Sequence, residues 1–110
     1  MTISSLSAFQ VGLEVAAHNV ANSVTPGFEP SRVVFQAGPA GQVRPHVDHP
    51  RHRSEDEGIS EAESDSAPPS ETDVAKELTD VTVLQRTYTA NLKSLYAQHQ
   101  SLGLLIDTLV

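Results

Sequence analysis

The chain has 110 residues and a formal net charge of −7, with three Phe, two Tyr, no Trp and no Cys. That length suits one small domain, and the missing cysteines exclude disulfides and thiolate metal sites. A large aromatic buries about 150–250 Å², so with so few of them the apolar filling falls to Leu, Val and Ala, as in helix–helix seams.

The charge is unevenly placed. Residues 48–73 hold nine acids against two bases, Arg51 and Arg53, while the rest of the chain carries five of each. The net charge therefore belongs to the middle, which weighs against a nucleic-acid partner, since that needs a basic face to displace counterions. It weighs equally against an anionic membrane surface. No stretch approaches the roughly 20 apolar residues of a membrane span, so no membrane insertion is expected. The first 31 residues contain no Lys or Arg and no long apolar run follows, so a cleaved secretory signal is not expected either.

All seven prolines fall between residues 26 and 69. Proline is excluded from helix interiors, so the chain divides into helix, irregular middle and helix. The N-terminal helix occupies residues 1–25, running from about Thr2 to Asn22 with Thr2 or Ser4 as its cap. Ile3, Leu6, Leu13, Ala17, Val20 and Val24 recur on helical steps, Gln10 intrudes, and Phe9 and Ala16 widen the stripe. Thr25-Pro26-Gly27 ends the helix, because a proline pushes the residue before it to extended geometry and Pro-Gly favours a type II turn.

Residues 26–37 read as this turn and a short extended segment, Arg32–Gln36. Residues 38–70, rich in Pro, Gly, Ser and acid, read as a disordered linker unable to bury enough surface to offset its ordering entropy. Residues 71–110 read as a long C-terminal coiled-coil helix capped by Ser70 or Thr72, with Asp73 and Glu77 near the positive end of its dipole. Val74, Leu78, Val81, Gln85, Tyr88, Leu92, Leu95, His99, Leu102, Ile106 and Leu109 alternate in steps of four and three, a seam of about five heptads. The expected fold is mainly α: two terminal helices forming an antiparallel coiled-coil hairpin, joined by a short β-segment and a disordered acidic linker. At about 1.5 Å per residue the second helix spans roughly 55 Å against roughly 30 Å for the first. One end of the seam is then left for another molecule to cover. The expected assembly seam comprises Leu6, Leu13, Val20, Leu78, Val81, Leu92, Leu95, Leu102, Ile106 and Leu109.

No catalytic constellation, nucleophile elbow or phosphate loop is present, so no enzyme activity, cofactor or small-molecule substrate is expected. His46, His49 and His52, with Asp48, are suitable metal-ligand types, but the prolines and arginines among them oppose a preformed site. His99 reads as a register-setting polar residue of the seam, and Glu55-Asp56-Glu57 as solvated linker.

Two segments together resemble a known family. Leu13-Glu-Val-Ala-Ala-His-Asn-Val-Ala-Asn-Ser-Val-Thr-Pro-Gly-Phe28 is similar to the signature of flagellar basal-body rod and hook proteins, an Asn-(Leu/Val/Ile)-Ala-Asn run followed by Thr-Pro-Gly and an aromatic. Asp73 to Asn91, ending in Gln-Arg-Thr-Tyr-Thr-Ala-Asn, resembles that family's C-terminal segment. The matching residues are Asn19, Asn22, Thr25, Pro26, Gly27 and Phe28, then Gln85, Arg86, Tyr88 and Asn91. The length is nearest the small proximal-rod members, and the β-rich outer domain of larger members is replaced by the acidic middle.

The resemblance implies a structural subunit whose terminal helices line an axial tube. It implies homo-oligomeric contacts and contacts with other axial subunits, and delivery to the periplasm-spanning basal body by the flagellar type III export apparatus without a cleaved signal peptide. The alternative is a coiled-coil adaptor, or an accessory or chaperone protein of a secretion apparatus.

Overall fold

A computed structural model describes residues 2–50 and 68–110. In chain order they form helix α1 (Thr2–Ala21), strand β1 (Arg32–Ala37), a single 3-10 turn (Pro39–Gly41), strand β2 (Val43–Asp48) and helix α2 (Val74–Leu109). Two helices and one two-stranded antiparallel ribbon make up the regular structure of the described residues. None of the helices is long and apolar enough to cross a membrane.

The buried face of α1 is a row of small residues. Ser5, Ala8, Gly12, Ala16 and Asn19 recur every three or four positions and are all buried. Leu6, Leu13 and Val20 are half-buried along the flank, while Ile3 and Val24 are exposed. The apolar stripe expected from the sequence is therefore the shoulder of the contact, and the small residues are its floor. The reason is close approach: a Cβ at Gly12 would lie 3.1 Å from both Leu84 Cδ1 and Phe35 Cζ. The Phe35 ring also meets Phe9 edge to face, with centroids 5.3 Å apart and planes at 72°.

The ribbon lies across α1. β1 and β2 pair in the register Arg32 with Asp48, Phe35 with Pro45 and Ala37 with Val43. Along β2, Val43, Pro45 and Val47 are half-buried and Arg44, His46 and Asp48 exposed, the two-residue alternation of a strand with one covered face. A proline is tolerated because each strand of a two-stranded ribbon has one unpaired edge. The strands are joined by a tight loop in which the Gly38 N–H donates to the Gln42 carbonyl at 2.7 Å and the Gln42 N–H donates to the Pro39 carbonyl at 3.3 Å. Two residues of this loop are left-handed, Ala40 at φ 57° and Gly41 at φ 72°. The Val43 N–H donates to Ser4 Oγ at 3.4 Å, tying the ribbon to α1.

The expectation of a disordered linker over residues 38–70 is thus corrected for its first part. Residues 39–48 form a turn and a strand because Phe35, packed over Gly12, holds β1 as a template beside them. The segment 51–67, with His52 and the Glu55-Asp56-Glu57 run, lies outside the described residues.

The start of α2 also differs from expectation. Its cap is Asp73, whose Oδ1 accepts from the Lys76 N–H at 3.1 Å. Ser70 and Thr72 instead bond to each other, the Thr72 N–H donating to Ser70 Oγ at 3.3 Å. Asp73 wins because an ionised N-cap both accepts a bond and complements the helix dipole. With 36 residues against 20, α2 outreaches α1 and gives the molecule extents of 77 × 28 × 16 Å. From Tyr96 onward every residue of α2 is exposed.

Two substitutions test this packing. Ala40→Gly relieves a left-handed alanine and is expected to stabilise the chain by about 1 kcal/mol, read as a raised thermal midpoint. At Gly12, Ala gains about 1 kcal/mol of helix propensity and displaces only side-chain ends, so Gly12→Ala should be close to neutral. Gly12→Val overpacks the crossing and should cost about 1–3 kcal/mol in urea denaturation.

Candidate assembly interface

The N-terminal motif forms one hydrogen-bonded corner at the end of α1. Asn19 is only 1% exposed, the largest fully buried side chain among the described residues. Its Nδ2 donates to the Ser31 carbonyl at 2.8 Å and to Glu77 Oε1 at 3.1 Å, and its Oδ1 accepts from the Ser31 N–H at 3.0 Å. One side chain thus joins α1, the residue before β1 and the first turn of α2.

Asn22 closes the helix end. Its Nδ2 donates to the His18 carbonyl at 2.9 Å, and its Oδ1 accepts from Thr25 Oγ1 at 3.2 Å. The Thr25 N–H donates to the Asn22 carbonyl and the Phe28 N–H to the Thr25 carbonyl, at 3.1 and 3.2 Å. These bonds turn the chain through Pro26 and Gly27. Gly27 sits at φ 72°, a left-handed conformation that glycine adopts without steric cost. The Phe28 ring then packs edge-on against His18, 5.6 Å between centroids. Two backbone bonds clip this corner to the approach of α2: the Gly27 N–H donates to the Pro68 carbonyl at 2.6 Å, and the Glu71 N–H to the Phe28 carbonyl at 3.0 Å.

The C-terminal motif is not gathered into this corner. Gln85 and Arg86 are exposed, Tyr88 and Asn91 half-buried. Asn91 donates its Nδ2 to the Thr87 carbonyl of its own helix at 3.2 Å.

The seam on α2 is split between two directions. Glu77, Leu84 and Asn91 are buried or half-buried, as are Val81, Tyr88 and Leu95, whereas Leu78, Gln85 and Leu92 are exposed. One rail of the expected series, 81-88-95, faces inward, but its companion rail is 77-84-91. Leu78 and Leu92 stay on the outer surface at 54% and 42% exposure. Farther along, Leu102, Ile106 and Leu109 are uncovered together with Leu104 and Leu105, and Leu92, Leu95, Tyr96 and His99 line a shallow apolar groove.

Sequence reasoning missed Glu77 as the partner of Asn19 and Ser31 as its second anchor. Glu77 stands at a position equally suited to the helix dipole, which hid its inward direction. The readable signal was the polar Asn19 continuing a row of Ser, Ala, Gly and Ala on one helical face.

The remaining polar features are modest. Lys76 Nζ lies 2.7 Å from Asp80 Oδ2, with both side chains about half exposed. The hydrogen bond to Asp80 raises the lysine pKa, so the small stabilisation is present through the ordinary range and fades as pH climbs past that raised value. An exposed pair four residues apart in a helix contributes about 0.3–0.5 kcal/mol. His49 Nδ1 lies 3.1 Å from Ser31 Oγ, and among the described residues no group of three or more His, Asp or Glu could hold a metal ion.

No family model matches the chain, and no curated protein matches it as a relative.

Asn19→Ala strands the N–H and carbonyl of Ser31 and one Glu77 oxygen, and is expected to cost about 2–4 kcal/mol. Asn22→Ala, at a more accessible site, should cost less than about 1 kcal/mol. Urea midpoints of the two variants, compared at equal slope, check the difference.

Proposed function

We propose that the chain is a structural subunit of the bacterial flagellar basal-body rod, built into a helical tube through its terminal helices. The observation that carries this reading is the surplus length of α2: its outer leucines Leu78 and Leu92 are exposed, and so is its whole end beyond Leu95, with Tyr96, Leu102, Leu104, Leu105, Ile106 and Leu109. A neighbouring subunit would bury them, and each apolar side chain so covered stabilises by about 1.5–3 kcal/mol. The proximity of Asn19 to Glu77, and of Gly12 to Leu84, supports α1 and α2 running as an antiparallel pair. The order of the two motifs along the chain supports the family resemblance, and the resemblance supplies the location, the rod that spans the periplasm. Its partners are then further copies, other axial subunits and the flagellar export apparatus.

A second reading, a coiled-coil adaptor or accessory protein of a secretion apparatus, would use the same exposed helix on a single partner helix. It predicts a discrete complex of fixed size, whereas a rod subunit co-fractionates with basal bodies. Deleting the gene and imaging purified basal bodies by electron microscopy separates the two. Truncated or absent rods with lost motility are expected; intact rods in motile cells would sink the rod reading. Replacing Leu92 and Leu95 together with Asp is expected to abolish incorporation at unchanged expression, measured by immunoblotting of the basal-body fraction.

A further inference from the structure

Between α1, β1 and the first turns of α2 lies a cleft of about 360 Å³. Its apolar walls come from Gly12, Val15, Ala16, Val33, Phe35 and Leu84. Asn19 and Glu77 also line it, at 1% and 9% exposure. Asn19 is fully engaged, but Glu77 uses one oxygen only, Oε1. Among the described residues Oε2 has no hydrogen-bond donor, yet no solvent-inaccessible side-chain oxygen or nitrogen lacks a partner. Oε2 is therefore reachable from the cleft. Glu71, Asp73 and Asp80 stand around the same opening against Arg32 and Lys76, and Lys76 is already taken by Asp80. A cleft with apolar walls, an open carboxylate oxygen and more acids than bases at its mouth suits a long basic side chain, with its methylenes on the walls and its charged head on the carboxylate.

The same chain carries such side chains on the far side of α2. Arg86 and Lys93 border one shallow surface with Thr89 between them. Both are exposed, and neither forms an ion pair with a described residue. At about 100° per residue, Arg86 points roughly 180° and Lys93 roughly 160° away from Glu77 around the helix axis. Neither can turn back into its own cleft.

We infer that the cleft receives Arg86 or Lys93 of a second copy of this chain, with the basic head on Glu77 Oε2. The inference rests on the assembly reading above and deepens it. Donor and acceptor lie on opposite sides of one helix, so the contact is head-to-tail, and a head-to-tail contact whose rotation does not close extends into an open helical polymer.

The experiment uses the full chain in sedimentation velocity at low ionic strength, with zero-length carbodiimide coupling as a second readout. Glu77→Gln removes the charge at the acceptor while keeping the oxygen that Asn19 binds. Arg86→Ala with Lys93→Ala removes the donors, and helicity by circular dichroism confirms folding of both variants. The wild type is expected to form a concentration-dependent series beyond the dimer, and a carbodiimide link between Glu77 of one copy and Lys93 of another marks Lys93 as the entering head. Each variant alone should need at least tenfold higher concentration to associate. Mixed in equal amounts, the two variants should stop at a dimer, because only one productive contact remains.

With association lost in both variants, a Glu77–Lys93 link supports the inference with Lys93 as the head; absence of the link supports it with Arg86, whose guanidinium carbodiimide does not couple. Wild-type association by either variant overturns the inference. If that association is still lost on Leu92→Asp with Leu95→Asp, assembly through α2 stands without the cleft. A Glu77-dependent series from a chain that never enters basal bodies would leave the cleft standing and remove the rod reading.

Discussion

A carboxamide offers two donor hydrogens and an acceptor oxygen, and at Asn19 all three face protein. Two of its bonds go to the N–H and carbonyl of the same residue, Ser31, so the side chain acts as a surrogate strand for one peptide position. That fixes where β1 begins. Four residues later the strand delivers Phe35 over Gly12, where the ring fills the space the missing side chain leaves. The third bond, to Glu77, sets the rotation of α2 about its own axis and so decides which of its residues are covered. An ionised aspartate would present acceptors alone, and a glutamine would set the amide one methylene too far out. The geometry of the described residues hangs on this one group.

With that rotation fixed, the faces of α2 take different tasks. The inward rails carry Leu84 and Tyr88 against the rest of the chain, and the outer surface keeps Leu78 and Leu92. The helix itself contributes little independent stability. Thr79, Thr82, Thr87, Thr89, Ser101 and Thr108 all donate their hydroxyls to the carbonyl four residues back. Residues of this kind form helices poorly unless packing compensates. From Tyr96 onward, where every residue is exposed, the helix has no such packing from the described residues.

Much of this was readable from the residues. The proline distribution placed both helices within a few positions, and Thr25-Pro26-Gly27 marked a turn that the structure builds from the Asn22 and Thr25 side chains. β2 escaped notice because its alternation of Val43, Pro45 and Val47 is short, interrupted by a proline and set in polar surroundings. Only a partner strand makes it regular, and pairing is not a local property of sequence. The α1 contact face escaped for a different reason. Apolar periodicity finds bulky residues, whereas close approach of two elements selects small ones, so Ser5, Ala8 and Gly12 carry the contact while Leu6 and Leu13 only flank it. The offset of one rail on α2 follows from Glu77, whose buried bond outweighs the apolar preference for Leu78 at that turn.

The two backbone bonds that join Gly27 to Pro68 and Glu71 to Phe28 have a bearing on how such a chain can change. They bring residues 41 and 43 positions apart to neighbouring sites, so the chain leaves and returns through a closed neck. Closure entropy grows only with the logarithm of loop length, about 0.6 kcal/mol for each doubling. Material added beyond β2 would burden neither helix nor the corner. The neck thus separates the helical scaffold from a tolerant insertion point, at which a short stretch and an entire folded module would be nearly equivalent to the helices below.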